Sequence, residues 1–177
     1  MNLYKEIDFQ FIPDLINWVK TDIGNRVKMH NIKEDRRLIH NIHPELLQQI
    51  NTELNSRGFP ALWYCQSYIR PGDQKLVQHV DGETYLVHGA LNIPVSGTKN
   101  TKHTWETGDY TLVPNVKHFS VKWNSDDKTS TDLELINPCL VRVDVPHSVT
   151  GNGIEHRWII TIRFQGNPEF EELLKLV

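Results

Sequence analysis

The sequence predicts an α+β fold, mainly β, in which a pair of helices precedes a barrel or jelly roll of short strands. Three observations carry this reading. Apolar residues recur at helical spacing within the first 60 residues, short β-prone runs broken by turn clusters fill residues 62–165, and a proline-started acidic segment follows them. The 177 residues suffice for one sizeable core and are few for two. No internal repeat or long linker divides them, so the expectation is a single domain over residues 1–177.

The elements follow in order. Pro13 stands at a first helical position, and Leu15, Ile16 and Val19 share one face of a helix over residues 13–23. The polar stretch NRVKMHNIKEDRR reads as a loop. Pro44 opens a second helix, with Leu46, Leu47, Ile50 and Leu54 at helical spacing and Gly58 where a left-handed cap belongs. Residues 1–60 thus form a helical support.

The runs LWYCQSYI, TYLVHGALNIPV, YTLVP, HFSVKW, LVRVDV and RWIITIRF then read as strands of the barrel. RPGD, SGTKN, NSDDKTS and TGNG read as the turns between them. Asn167-Pro168-Glu169 supplies an N-cap, a first-turn proline and an early acid, which predicts a closing helix over residues 168–176.

Composition narrows the function classes. Apolar residues at 38% and charged residues at 23% are ordinary for a soluble globular protein. A formal charge of −3 gives no electrostatic reason to expect nucleic acid or an anionic membrane as partner. Cys65 and Cys139 are too few for a disulfide framework or a thiolate zinc site, and read as small buried hydrophobes in a reducing compartment. The N-terminus carries acids where a signal peptide needs bases, and no stretch approaches the ~20 apolar residues of a membrane span. The expectation is a soluble, cytoplasmic protein.

His79-Val80-Asp81 is a weak motif alone, equally readable as a solvated pair near a strand end. Its context adds weight. Residues two apart on a strand point to the same side, so His79 and Asp81 can face one ion, and Gly82 permits a sharp turn behind them. His147 would join them from a distant segment, after the apolar run Leu140–Val145, with Pro146 fixing its approach. Two imidazoles and one carboxylate leave three open positions on an octahedral ion, which suits Fe(II) and oxygen chemistry. Closed tetrahedral zinc would need a fourth ligand that the sequence does not obviously supply.

Arg157 is the stronger clue. In RWIITIRF, Trp158, Ile160, Ile162 and Phe164 share an apolar face, and Arg157, Ile159, Thr161 and Arg163 share the other. An arginine opening that second face near His147 is costly to bury unless it meets an anion, and a guanidinium can hold a carboxylate with two parallel hydrogen bonds. The bland alternative is a solvated edge-strand arginine. Arg163 lies about 20 Å further along and reads as a surface or ion-pair residue.

With these residues on the page, the chain resembles the Fe(II)/2-oxoglutarate-dependent oxygenases, whose pattern is His-x-Asp, a distal His and then an Arg about ten residues later. HSVTGNGIEHRWIIT looks like the closing strands of the prolyl hydroxylase branch. YLVHGALNIPVSG followed by HTWETGDYTLV looks like the aspartyl/asparaginyl β-hydroxylase branch. The likeness covers roughly residues 62–165.

The resemblance implies a double-stranded β-helix, a cupin-like jelly roll, with Fe(II) on His79, Asp81 and His147. It implies 2-oxoglutarate as cosubstrate, with its far carboxylate on Arg157, and consumption of O2. By the same resemblance, His88 matches a cosubstrate-contacting histidine, Asn92 shares its face, and Tyr68 matches a pocket tyrosine. A satisfied strand histidine and an ordinary core tyrosine are the plain alternatives for His88 and Tyr68.

The chain also departs from the pattern. The β-hydroxylases lack an acid corresponding to Asp81, and their arginine two before the pocket histidine is Leu86 here. Residues 118–138 form an extra stretch before the distal histidine. His118 is a decoy for the ligand role, because Lys128 rather than an arginine stands ten residues after it.

The function expected is hydroxylation of an amino-acid side chain, free or within a protein, with release of succinate and CO2. A cupin-like metal isomerase or a non-catalytic binding barrel would use the three ligands without Arg157. An AlkB-like nucleic-acid demethylase has Arg157-x5-Arg163 in its favour and the acidic balance against it. Substrate identity and oligomeric state are not readable from the sequence.

Overall fold

The computed structural model describes residues 1–27, 31–82, 85–116 and 118–177. Ten strands and three helices follow in the order β1 (Tyr4–Glu6), α1 (Ile12–Arg26), β2 (Arg36–His40), α2 (Pro44–Ser56), β3 (Leu62–Arg70), β4 (Lys75–Val80), β5 (Gly89–Ser96), β6 (Lys102–Pro114), β7 (Phe119–Leu133), β8 (Cys139–Arg142), β9 (His147–Thr150), β10 (Arg157–Phe164) and α3 (Phe170–Leu174). A six-stranded sheet runs β1-β8-β5-β10-β3-β2, and β4, β7, β6 and β9 close on one another as a second unit. The fold is therefore mainly β, a jelly roll with helices at its start and end.

The alternation in β10 explains how the layers meet. All eight of its residues are buried, so the strand must satisfy two different environments. Trp158, Ile160, Ile162 and Phe164 enter a core shared with Leu15 and Val19 of α1, Ile50 and Leu54 of α2, and Phe170 of α3. Ile159 on the other face joins Ala90, Trp105, Val141, Val143 and Val145 between the sheets. Period-two side-chain direction makes one strand the wall between these two cores.

Local signals place the helices. Pro13 occupies the first turn of α1 and Pro44 that of α2, where a missing N–H is harmless. His43 caps α2 by accepting from the Leu46 amide, and Gly58 follows the helix at φ +80°. The closing helix, expected over residues 168–176 from its start signals, spans only Phe170–Leu174. Asn167 has positive φ, and its side chain accepts from the His88 amide and donates to the Leu86 carbonyl. The expected cap residue instead ties the chain before β5 to the end of β10.

Three readings are corrected. The stretch taken as a loop over residues 25–37 contains the end of α1 and the start of β2, with residues 28–30 outside those described. β2 was illegible because it is polar and mostly exposed, and only its pairing with β3 makes it a strand. NSDDKTS, read as a turn, lies within β7, and the register jumps there so that residues 124–127 face Asp109 alone. The apolar run at residues 84–95 becomes a strand only from Gly89, and Thr84 lies outside the described residues.

No helix among the described residues is long and apolar enough to cross a membrane. Cys65 and Cys139 are both buried and free, and burial pushes both thiols up to about 12.

Candidate metal centre

β4 pairs with β9 so that His79 and His147 are direct register partners, and Trp105 of β6 flanks His147 on its other side. Asp81 stands just past the end of β4, where its amide donates to the Val143 carbonyl. Gly82 then takes φ +132°, a conformation that a side chain rarely adopts. This bend brings the Asp81 carboxylate back to the two histidines. Donor atoms of His79, Asp81 and His147 all lie within 4.8 Å of one another.

The histidines are oriented alike. His79 Nδ1 sits 2.9 Å from the Val77 carbonyl, and His147 Nδ1 sits 2.9 Å from the Val145 carbonyl. A carbonyl can only accept, so each Nδ1 carries the proton and each Nε2 keeps a free lone pair. Both Nε2 atoms face Asp81 Oδ1, at 3.2 Å and 3.8 Å. Ligands at about 2.1 Å from one ion stand about 3 Å apart when at right angles. The donor set therefore fits a divalent ion with small adjustments, and its make-up is that of an open two-histidine, one-carboxylate site.

Arg163 holds the other oxygen of Asp81, and its Nη1 donates to the Gly89 carbonyl at 3.2 Å. Burial by itself would raise the Asp81 carboxyl, but the Arg163 guanidinium, with His79 and His147 close by, holds it well below the usual carboxylate range. Burial and the neighbouring His79 push His147 down to about 4. The shifts at Asp81 and His147 both favour the deprotonated form that binds metal.

The inner face of β10 carries a second charged group at its other end. Arg157 is 5% exposed, its Nε has no partner, and no carboxylate among the described residues lies within ion-pair distance. Its register partner is Arg70 of β3. Arg70 is held by Asp35, with Nε 2.6 Å from Oδ1, yet its Nη1 is also buried without a partner. Burial and the Arg70 charge lower Arg157 to about 10, with Asp35 opposing.

The remaining expected residues fall in different places. Tyr68 opposes Ile159 in register and packs against the inner core, with its hydroxyl accepting from Gln66 Nε2 at 2.7 Å. Asn92 is buried on the same inner wall, and its Oδ1 accepts from Thr161 at 2.7 Å. His88 stands apart from the three ligands, in a group with Asp144 and Glu169 at 2.9 Å and 3.3 Å. His118, at the tip of the β6–β7 hairpin, lies edge-on to His79 at 5.2 Å between ring centroids. It is not among the three clustered donors.

Sequence reasoning missed Arg163 as the partner of Asp81, Arg70 as the neighbour of Arg157, and His103. Arg163 had a usable signal, because it shares a buried face with Arg157. Arg70 had none, since it reaches Arg157 only through the β3–β10 register.

No protein-family model matches the chain, and no curated protein matches it in sequence. Solved structures do resemble it in fold. The chain overlays the non-heme α-ketoglutarate-dependent carbocyclase SnoK from nogalamycin biosynthesis with a TM-score of 0.54 at 10% identity, covering 90% of this chain and 78% of that one. It overlays the epimerase SnoN, solved with Fe3+, α-ketoglutarate and nogalamycin RO, with a TM-score of 0.53 at 9% identity, covering 90% and 77%. A vicilin from Capsicum annuum is matched at a TM-score of 0.38 and 11% identity, covering 77% of this chain and 30% of that one. The chain thus spans under a third of the vicilin's length. The SnoK and SnoN overlays support the jelly-roll fold, at identities that speak to fold alone.

Proposed function

We propose that this protein is an Fe(II)- and 2-oxoglutarate-dependent dioxygenase that hydroxylates an amino-acid side chain, free or within a protein. The observation that carries the reading is Arg157. A buried guanidinium without an anion is costly, and here it shares the inner wall with an open two-histidine, one-carboxylate group. A dicarboxylate that reaches from that group to Arg157 would satisfy both. The amino-acid substrate class rests on the likeness to the β-hydroxylase branch.

In this reading His79, Asp81 and His147 hold the iron, which together with the oxo-acid supplies O2-dependent oxidation of a C–H bond with release of succinate and CO2. The carbonyls of Val77 and Val145 fix both imidazole tautomers so that the Nε2 lone pairs face the ion. Arg163 fixes Asp81, leaving one carboxylate oxygen for the metal. Arg157 binds the far carboxylate, and the apolar wall of Trp105, Val143 and Ile159 keeps water from the path between.

A cupin-like isomerase or a non-catalytic binding barrel would use the three ligands with no need of Arg157, so the test must address both. Anaerobic titration with Fe(II) and 2-oxoglutarate should develop a visible metal-to-ligand charge-transfer band. The band should vanish in His147→Ala and require far more cosubstrate in Arg157→Ala. Absence of the band in folded, iron-reconstituted protein would sink the oxygenase reading.

A further inference from the structure

Among the described residues, the side-chain nitrogens left buried without partners all belong to four residues: Arg70, His103, Arg157 and Arg163. Arg163 already holds Asp81, Arg70 already holds Asp35, and Arg157 has its role in the reading above. His103 has none, and it is the one of the four whose side-chain polar atoms are all both buried and unpartnered. It is 4% exposed, on β6, two residues before Trp105 and diagonal to His147 across the β6–β9 register.

The surroundings of His103 define where its ring sits. It stacks on Trp105 with centroids 4.2 Å apart and planes 13° apart. Trp105 is itself anchored, because its indole N–H donates to the Arg142 carbonyl at 2.8 Å. The ring centroid of His103 lies 5.2 Å from that of the metal-ligand candidate His147. Neither ring nitrogen meets a polar partner, so the ring N–H is free to donate to a bound ligand.

Among the described residues, the other deeply buried histidine outside the metal group shows what a packing role looks like. His40 is 5% exposed, and its two ring nitrogens are both engaged, at 2.8 Å from Asp22 and 2.8 Å from Ser67. A histidine kept for packing is satisfied, as buried polar groups generally are. If His103 served only to fill space against Trp105, a phenylalanine would do so without burying two idle nitrogens.

We propose that His103 is a cosubstrate-binding residue, donating a hydrogen bond to an oxygen of the oxo-acid bound between His147 and Arg157. This rests on the oxygenase reading and adds a contact to it. The oxo-acid then has three kinds of anchor: the metal, a guanidinium at its far end, and an imidazole beside the path between them. The rigid stack on Trp105 makes His103 selective for length, because a ring that cannot swing cannot follow a shorter or longer diacid.

Wild type, His103→Phe and His103→Gln are to be compared in anaerobic titrations with Mn(II) alone and then with 2-oxoglutarate on the Mn(II)-loaded protein. His103→Phe keeps the stack and loses both nitrogens. The expected result is a tenfold or greater weakening of 2-oxoglutarate binding with Mn(II) affinity unchanged, and recovery of most of the loss in His103→Gln. Unchanged 2-oxoglutarate affinity in His103→Phe overturns the proposal, and so does parallel loss of Mn(II), which would mean that the ring acts through His147.

A wild type that binds Mn(II) but no 2-oxoglutarate overturns the oxygenase reading itself and this contact with it. A measurement on wild type covers the case of a variant that does not fold. With Zn(II) in the site, the His103 ring N–H should appear as a slowly exchanging downfield proton resonance only when 2-oxoglutarate is added. Its absence in the bound state overturns the proposal.

Discussion

Arg70 and Arg157 face each other in register on β3 and β10, and Asp35 pairs with Arg70 while Arg157 has no counter-ion among the described residues. Two like charges on one buried wall are unfavourable, and one carboxylate does not balance both. In the proposed reading, the far carboxylate of 2-oxoglutarate is the anion that would balance the second charge.

Replacing Arg157 by leucine should therefore leave the ligand-free protein as stable as wild type or more so, because an unpaired buried charge is removed. The same change should abolish stabilisation by cosubstrate. At 2-oxoglutarate a hundredfold above its Kd, wild type should gain about 2.7 kcal/mol. Thermal melts with and without 2-oxoglutarate check both halves, and a ligand-dependent rise in Tm for Arg157→Leu would contradict the role given to Arg157.

Arg163 should matter through Asp81. Arg163→Met leaves the carboxylate without its ion pair, and breaking such buried pairs costs about 3–5 kcal/mol. The low end applies here, because the Asp81 side chain keeps 21% of its surface in solvent. Loss of an outer-shell partner should also weaken metal binding about 10–100-fold. Urea unfolding of metal-free protein and metal titration read the two effects separately.

Gly82 should be intolerant of any side chain. A Cβ there would stand 2.2 Å from the Tyr85 carbonyl oxygen and 3.0 Å from the Phe119 ring, on a residue at φ +132°. Gly82→Ala must displace the chain next to Asp81, so metal affinity should fall together with stability. Gly153→Ala is the comparison, because its φ is +76° with nothing within 4 Å of the added carbon. It should show backbone strain of order 1–2 kcal/mol with metal binding intact.

Acid should destabilise the metal-free protein before most carboxylates titrate. His40, His103, His118 and His147 all have folded pKa values below the unfolded value of 6.5. A depressed histidine pKa means that the neutral form is favoured in the fold. The stability is full above pH 6.5 and is lost as pH falls toward the folded values. With His147 at about 4, this residue alone removes about 2 kcal/mol at pH 5 relative to neutral pH. The depressed Asp81 acts in the same direction at lower pH. Melts in chelator between pH 7.5 and 4.5 should show Tm falling from about pH 6.5 downward, and a flat profile to pH 5 would refute the assignment.

Much of the architecture was readable because strand and helix periods are local properties. RWIITIRF announces its two faces in eight letters, and the structure puts them in two different cores. Pro13, Pro44 and Gly58 mark helix ends for reasons confined to a few residues of backbone. β1 and β2 were not readable, since short polar edge strands owe their conformation to the partner strand rather than to their own side chains. The same holds for NSDDKTS, whose residues are solvated in β7 and look like any turn.

The sequence by itself determined the strand parity that sends Arg157 and Arg163 to one face, the proline-marked starts of the first two helices, and the spacing that lets His79 and Asp81 share a side. Only the tertiary structure decided that His147 lies opposite His79, that Arg163 closes on Asp81 across 82 positions, that Arg70 stands beside Arg157, and that His103 is sealed against Trp105 with idle nitrogens. The physical reason is one of range. Side-chain direction follows from the few bonds on either side of a residue, whereas counter-ions and hydrogen-bond partners are chosen by sheet register, which joins segments far apart in the chain.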